Sequence, residues 1–316
     1  MKQPKPRFDI AQTVTDLIIE KLEAGVKPWE RPWTGVPVSR PMRSCGTPYR
    51  GINVFMLWMM ADAKAYVSPY WLTYRQAETL GAQVRKGEKA SQALFYKLLG
   101  EAPDADVRGR QIDEQKRRRV LRSYAIFNAD QIDGLPERYA PVVVTARCDD
   151  DERREAIEAY FAAIPASVIH RGDRAYYDQT TDRIVLPTEN SFKSYAHYAS
   201  TRAHETLHWA GGASRLNRAF GARFGDKAYA FEELVATMGE AALCARLGLP
   251  AALLDDHAAY IGDWLTILGG DRNAILTAAA RADEAFAYLD GYVIEPTSEI
   301  SQDCAADTIT ERALAA

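Results

Sequence analysis

Residues 201–211, TRAHETLHWAG, carry His204, Glu205 and His208 in the order H-E-x-x-H. On an α-helix, residues four apart lie about 40° apart around the axis, so both imidazoles leave one face and can share one zinc ion. Glu205 falls beside them, placed to act as a general base toward water rather than as a ligand. The stretch is therefore read as a helix at the centre of a metal-dependent hydrolase site. Gly211 and Gly212 follow as its stop.

A catalytic zinc takes three protein groups and keeps one position for water. The loop after Gly212 leads to a second helical stretch over residues 229–247, which opens with Glu232 and Glu233, 24 and 25 residues beyond His208. Helical phase does not separate the two. Ala236, one turn after Glu233, would let the helices pack closely and favours Glu233; Glu232 and Glu240 stay as alternatives. His197, seven residues before His204, is read as either a neighbour of the ligands or a packed histidine, while His170 and His257 have no ligand at metal spacing.

Outward from the motif, 316 residues at 47% hydrophobic composition supply apolar material for two domains. No run reaches the 18 or so apolar residues of a membrane span, and the polar N-terminus lacks the apolar core of a secretion signal, so a cytoplasmic location is expected. Cys45, Cys148, Cys244 and Cys304 form no C-x-x-C pair and are expected as free thiols. The net charge of −4 hides a division: residues 1–145 hold 23 Lys and Arg against 16 Asp and Glu, whereas residues 146–316 hold 16 against 27. A basic module precedes an acidic one, and a polyanion partner belongs to the first.

In the basic half, residues 8–24 repeat apolar side chains at helical spacing and close at Gly25. Residues 26–53 are rich in Pro and Gly and read as a long loop. Here Trp29, Trp33 and Tyr49 alternate with Lys27, Arg31, Arg40, Arg43 and Arg50. That pattern suits single-stranded DNA, with rings stacking on unpaired bases and cations following the phosphates; the competing reading is tryptophans that pin a loop under solvated arginines. Residues 52–65 are apolar nearly all round and predict a buried helix. Ser68-Pro69 is read as the start of a helix through Trp71 and Leu80, closed by Gly81. Arg85, Lys86 and Lys89 around a Lys-Gly turn are candidate phosphate contacts. Strand patterns cover residues 93–96 and 120–128, separated by a polar insertion and the cluster Lys116 to Arg119.

The acidic half begins with the β-branched residues 141–145 and a helix through Tyr160 and Phe161. A hairpin follows, RAYY and RIVL joined by DQTTD, and then Glu189-Asn190-Ser191 as the expected cap of the motif helix. Two more helices, over 256–268 and 271–289, complete the core, and residues after 295 lose periodicity. The domains are expected at 1–140 and 141–292, with a tail at 293–316.

Several segments in one order resemble the ArdC-type antirestriction proteins of mobile elements, whose N-terminal module is related to that of TraC-type plasmid primases. They are YRGIN (49–53), WLTYRQA (71–77), QVRKGEKA (83–90), YAIFNADQIDGLP (124–136), GDRAYYDQTTDRIVLP (172–187), AHETLHWAGGASRLNR (203–218) and YAFEELVATMGEAALCARLG (229–248). The resemblance implies an α+β fold: an α+β single-stranded-DNA-binding domain followed by a mostly helical, zincin-like metallopeptidase domain with a small sheet. It implies metal ligands at His204, His208 and Glu233, a catalytic Glu205, one zinc ion per chain, and a role in shielding incoming DNA from restriction. A host protein met on the DNA is the implied peptidase substrate. Thr237 departs from the pattern, standing where the familiar EELVAE has another acid. Two other functions fit the same residues: a protein that protects single-stranded DNA by coating it, its metal site structural or inactive, and a crosslink-repair protease of the SprT type.

Overall fold

A computed structural model describes residues 10–25, 39–99, 118–140, 151–220, 227–249 and 260–293. The segment 26–38 with Lys27, Trp29, Arg31 and Trp33, the insertion at 100–115, residues 141–145, Cys148, His257 and the tail lie outside the described residues.

The amphipathic stretch near the N-terminus forms α1 (Ile10–Glu23), and Val14, Ile18 and Leu22 on its apolar face are buried. After the two-residue strand β1 (Met42–Arg43), helix α2 (Ile52–Lys64) buries most of its circumference, as its composition predicts. Trp71 was expected inside a helix started by Ser68-Pro69. Instead Tyr70–Leu72 is strand β2, which pairs parallel with β1 and antiparallel with β5 (Arg118–Asn128). Ser68 spends its hydroxyl on the Tyr139 carbonyl (2.8 Å). The cap is Thr73, whose Oγ1 accepts from the Gln76 N–H while Gln76 Oε1 accepts from the Thr73 N–H at 2.7 Å, and the helix it starts is the short α3 (Tyr74–Thr79). Gly81, at φ 73°, takes the left-handed turn that follows.

Strand β4 (Ser91–Leu99) pairs along its length with β5, giving a sheet of order β1-β2-β5-β4. Asn53 of α2 ties into β4, accepting from the Leu94 N–H (2.6 Å) and donating to the Leu94 carbonyl (2.8 Å). A separate pair joins β3 (Gln83–Val84) to β6 (Ile132–Asp133).

In the second half, α4 (Asp151–Ala163) precedes a three-stranded sheet of order β7-β9-β8. The expected hairpin is β8 (Tyr176–Asp178) with β9 (Arg183–Leu186); β7 (Ser167–His170), not anticipated, runs parallel to β9. Four α-helices follow among the described residues: α5 (Tyr195–Ala210), α6 (Lys227–Leu247), α7 (Ile261–Gly270) and α8 (Ala274–Asp290). The expected cap Glu189–Ser191 is a 3-10 turn, and α5 starts instead at Ser194. The architecture is α+β, with a largely helical second half.

One apolar cluster contains Val14, Ile18 and Leu22 of α1, Phe55, Leu57 and Trp58 of α2, Leu234, Val235 and Met238 of α6, and Ile275 and Ala279 of α8. Polar links cross at the same level. Thr15 Oγ1 donates to the Arg272 carbonyl (2.7 Å), and Arg40 pairs with Asp283 (2.6 Å) while lying over the Phe286 ring. A second cluster packs α4, α5 and the three-stranded sheet against the opposite side of α6.

Candidate metal centre

Helix α5 carries the H-E-x-x-H residues in its last turns, where it is buried almost all round. Ser194 Oγ accepts from the His197 N–H and lies 2.8 Å from His197 Nδ1, so His197 belongs to the helix start and not to the metal site. His170 stacks on Tyr198, with Nε2 3.0 Å from the phenol oxygen.

Helix α6 crosses α5 at close range. A Cβ on Gly239 would sit 2.6 Å from Leu207 Cδ1, so the absent side chain lets α6 approach α5 between its two motif histidines. Gly239 is thus a small residue at this approach, and Ala236 is fully buried in the second cluster with Ala203 and Leu207 of α5. The crossing brings Glu233 to the histidine pair. Its Oε2 lies 3.5 Å from His204 Nε2 and its Oε1 3.5 Å from His208 Nε2, and the two Nε2 atoms are 3.1 Å apart.

The other two candidate glutamates take the far side of each ring. Glu240 Oε2 is 3.2 Å from His204 Nδ1, and Glu232 Oε1 is 3.2 Å from His208 Nδ1. A carboxylate only accepts, so each Nδ1 carries a proton, and on the neutral ring Nε2 is the nitrogen left with a lone pair. Two lone pairs and a carboxylate facing one point repel one another, so the arrangement calls for protons on the rings or a cation between them. Among the described residues His204, His208 and Glu233 are the group whose ligand atoms gather within 4.8 Å. Such a set of imidazole and carboxylate donors fits a divalent metal, and carboxylates behind the ligand imidazoles hold their tautomer and orientation. Glu232 is instead engaged by Arg218, whose Nε and Nη2 donate to its two oxygens at 2.9 and 2.6 Å, with Nη2 also donating to the Leu207 carbonyl.

The electrostatics point the same way. Burial opposes charge on His208, yet Glu233 and Glu232 outweigh it and raise its pKa to about 9. Burial likewise opposes charge on His204, and Glu233 and Glu240 raise it well above its usual value. Burial works against the Glu233 carboxylate too, but the two histidines keep it far below the ordinary range. The pocket attracts positive charge. Glu205 differs: burial raises its pKa, against the pull of both histidines, and the Tyr177 backbone N–H donates to it. It is 7% exposed, and among the described residues no arginine or lysine pins it as a fixed anion.

A cavity of about 380 Å³ opens over these groups, walled by Arg174, Tyr176 and Tyr177 around β8, by Phe220, and by Tyr229 and Tyr260. Tyr229, one turn before Glu233 on α6, hydrogen-bonds to it, and its phenol oxygen is 3.4 Å from that of Tyr260. Gly211 and Gly212 do more than end α5. A Cβ at Gly211 would meet Arg218 at 2.7 Å and Phe220 at 2.8 Å, and one at Gly212 would strike Arg215. The two glycines let the following loop fold back on the site. Arg215 then lies over Trp209 and donates to Tyr177 Oη (2.8 Å) and Asp182 (2.6 Å), fastening that loop to the hairpin. Arg218, Arg215, Phe220 and Tyr260 escaped the sequence reading, although Tyr229 stands at helical spacing from Glu233.

Of the candidate DNA contacts within the described residues, Tyr49 requires a correction. Its ring is 3% exposed, packed in the shared core under the Arg43 guanidinium, and offers no face to a base. Arg50, Lys86 and Lys89 are exposed. Arg85 is exposed as well, but its guanidinium is engaged by Glu88 (3.1 Å), Asp133 (3.5 Å) and the Asp130 carbonyl.

Residues 8–127 match the N-terminal domain of the anti-restriction factor ArdC, and residues 155–281 match a zincin-like metallopeptidase family. The crystal structure of the antirestriction protein ArdC from plasmid R388, in a metal-free form, superposes with a TM-score of 0.74 at 45% identity, covering 90% of this chain and 98% of that one. The chain belongs to the ArdC antirestriction family. An Mn(II)-bound structure of the same R388 protein matches with a TM-score of 0.73 at 44% identity over 92% of this chain and 100% of the other. The protein y4eC of Sinorhizobium fredii is 36% identical over 287 residues, 90% of this chain and 92% of its own length. DNA primase TraC of Escherichia coli is 35% identical over 302 residues, which cover 90% of this chain but 20% of the primase. No helix among the described residues is long and apolar enough to cross a membrane.

Proposed function

We propose that this chain is a single-stranded-DNA-binding antirestriction protein whose second half is a zinc-dependent metallopeptidase acting on a host protein met at the DNA. The observation that carries the peptidase reading is Glu205: a buried carboxylate with a raised pKa, beside the three convergent donors His204, His208 and Glu233 but not one of them. A zinc ion held there supplies Lewis acidity toward water and a peptide carbonyl. Glu205 takes the proton of the attacking water and passes it to the leaving amine nitrogen, and its raised pKa matches both directions of that transfer. The Tyr177 N–H holds it in place. Strand β8, at the edge of its sheet and lining the cavity, can pair with an extended substrate backbone.

The DNA reading rests on the basic first half, on Lys27, Trp29, Arg31 and Trp33, and on the exposed Arg50, Lys86 and Lys89, supported by the kinship with TraC primases. Arg43 and Arg85 serve less directly, through the partners that already hold them. This reading sets the protein in the cytoplasm, where incoming DNA is restricted. The test is a digest of DNA-associated host proteins by the zinc-loaded chain and by Glu205→Gln. Cleavage by the first alone is expected; equal cleavage by both removes the mechanism. If Glu205→Gln still protects DNA in full, coating is the activity and the metal site is structural.

A further inference from the structure

The walls of the cavity state which side chain it admits. Phe220 stands between the metal ligands and the hairpin, its ring centroid 6.0 Å from that of His208 and 5.9 Å from that of Tyr177. Tyr229 and Tyr260, also in the cavity wall, lie with ring centroids 6.1 Å apart, and Tyr260 is stacked on the buried Trp264. The glycine at 211 gives up its side-chain space to the Phe220 ring, so that ring is seated by the backbone and not by chance. The charged lining is mostly acidic. Asp173, Glu205 and Glu233 contribute to it, Glu232 is already paired with Arg218, and Arg174 is the one lysine or arginine among the described lining residues. At about 380 Å³ it lies at the small end of ligand pockets and holds a short extended segment rather than a folded surface.

We infer that Phe220 is a specificity-determining residue and that the site selects an extended peptide with a large apolar, preferentially aromatic, side chain next to the bond over the metal. Acidic side chains are rejected. A ring entering this aromatic-walled cavity loses its water-exposed surface and gains edge and face contacts, while a carboxylate would be desolvated beside Glu205 and Asp173. This inference rests on the peptidase reading for its substrate but is tested without turnover.

The experiment is calorimetric titration of the zinc-loaded chain with acetohydroxamate, 3-phenylpropanohydroxamate and the monohydroxamate of succinic acid. All three offer one metal-binding group and differ in what enters the cavity. The phenyl compound is expected to bind about 10- to 100-fold more tightly than acetohydroxamate, the effect of burying one aromatic ring, and the succinate compound more weakly than either. Phe220→Ala should remove most of the phenyl preference, and Phe220→Leu should retain part of it. Equal binding of the acetyl and phenyl compounds, tighter binding of the acidic one, or no binding of any overturns the inference on the native chain alone, whatever the variants do. An unchanged phenyl preference in Phe220→Ala overturns the assignment to Phe220. A chain that shows the preference but cleaves no protein loses the peptidase reading while keeping this one.

Discussion

Replacing Glu232 by Ala separates a ligand from the group that holds one. In the native fold Arg218 and Glu232 are 4% and 3% exposed at the side chain, 2.6 Å apart, and Glu232 also accepts from His208 Nδ1. The alanine leaves a buried guanidinium without its counterion, at a place where Arg218 Nη1 already has no hydrogen-bond partner among the described residues. Removing one member of a buried ion pair costs about 3–5 kcal/mol, which for a chain of this size is roughly 6–15 °C in melting temperature. The loss belongs to the fold and must appear with the metal chelated. A second loss, about 10- to 100-fold in metal affinity, follows from freeing the His208 ring. The assays are differential scanning calorimetry in chelator and zinc titration against a competing indicator. The reasoning is refuted if the chelated Glu232→Ala melts with the native protein, since the Arg218 pair would then contribute nothing to the fold. Glu233→Ala is expected to abolish metal binding and, because Glu233 sits between two buried histidines, to lower the melting temperature in chelator as well.

Three further outcomes follow from other contacts. Gly239→Ala places a Cβ 2.6 Å from the buried Leu207, so overpacking of about 1–3 kcal/mol outweighs the gain of up to about 1 kcal/mol in helix propensity; a urea titration should show net destabilisation. Asn53→Ala strips the Leu94 N–H and carbonyl of their partners and should cost about 1–3 kcal/mol in the same measurement. Burial, with the Asp182 hydrogen bond and against the pull of Arg215, raises the Tyr177 pKa to about 12. A folded pKa above the unfolded value of about 10 contributes stability that is complete below pH 10 and lost as pH rises toward 12. Alkaline denaturation of Tyr177→Phe should therefore fall less steeply across that window, and an equal slope would show that the phenol ionises freely in the fold.

Much of the site was legible because its signals are local. His204, Glu205 and His208 share one helix, and the pattern of helices survives in apolar spacing and in Gly81. The choice between Glu232 and Glu233 was not. It is made by Arg218, which reaches Glu232 only because Gly211 lacks a side chain, and no spacing rule reports that a glycine is a vacancy for a distant arginine. The same limit explains Tyr49: a ring under an arginine reads alike in sequence whether it awaits a base or is sealed in the core. At Ser68 and Thr73 two good caps stood five residues apart, and the pairing of Tyr70–Leu72 with β5, a contact across more than fifty residues, decided between them.

Helix α6 presents His204 and His208 with Glu233 on one side and rests Leu234, Val235 and Met238 against α1 and α2 on the other. The division that charge draws near residue 145 is thus crossed by the core, and a gene fragment encoding only the later part would carry an uncovered apolar face into solution. Recombination that moved one half without the other would be penalised at folding, before any question of activity. In TraC the matching stretch spans 90% of this chain inside a much longer protein, both halves included. The two halves recur together in the R388 ArdC protein and in TraC, and the interlocked helices give a physical reason to keep the pair whole.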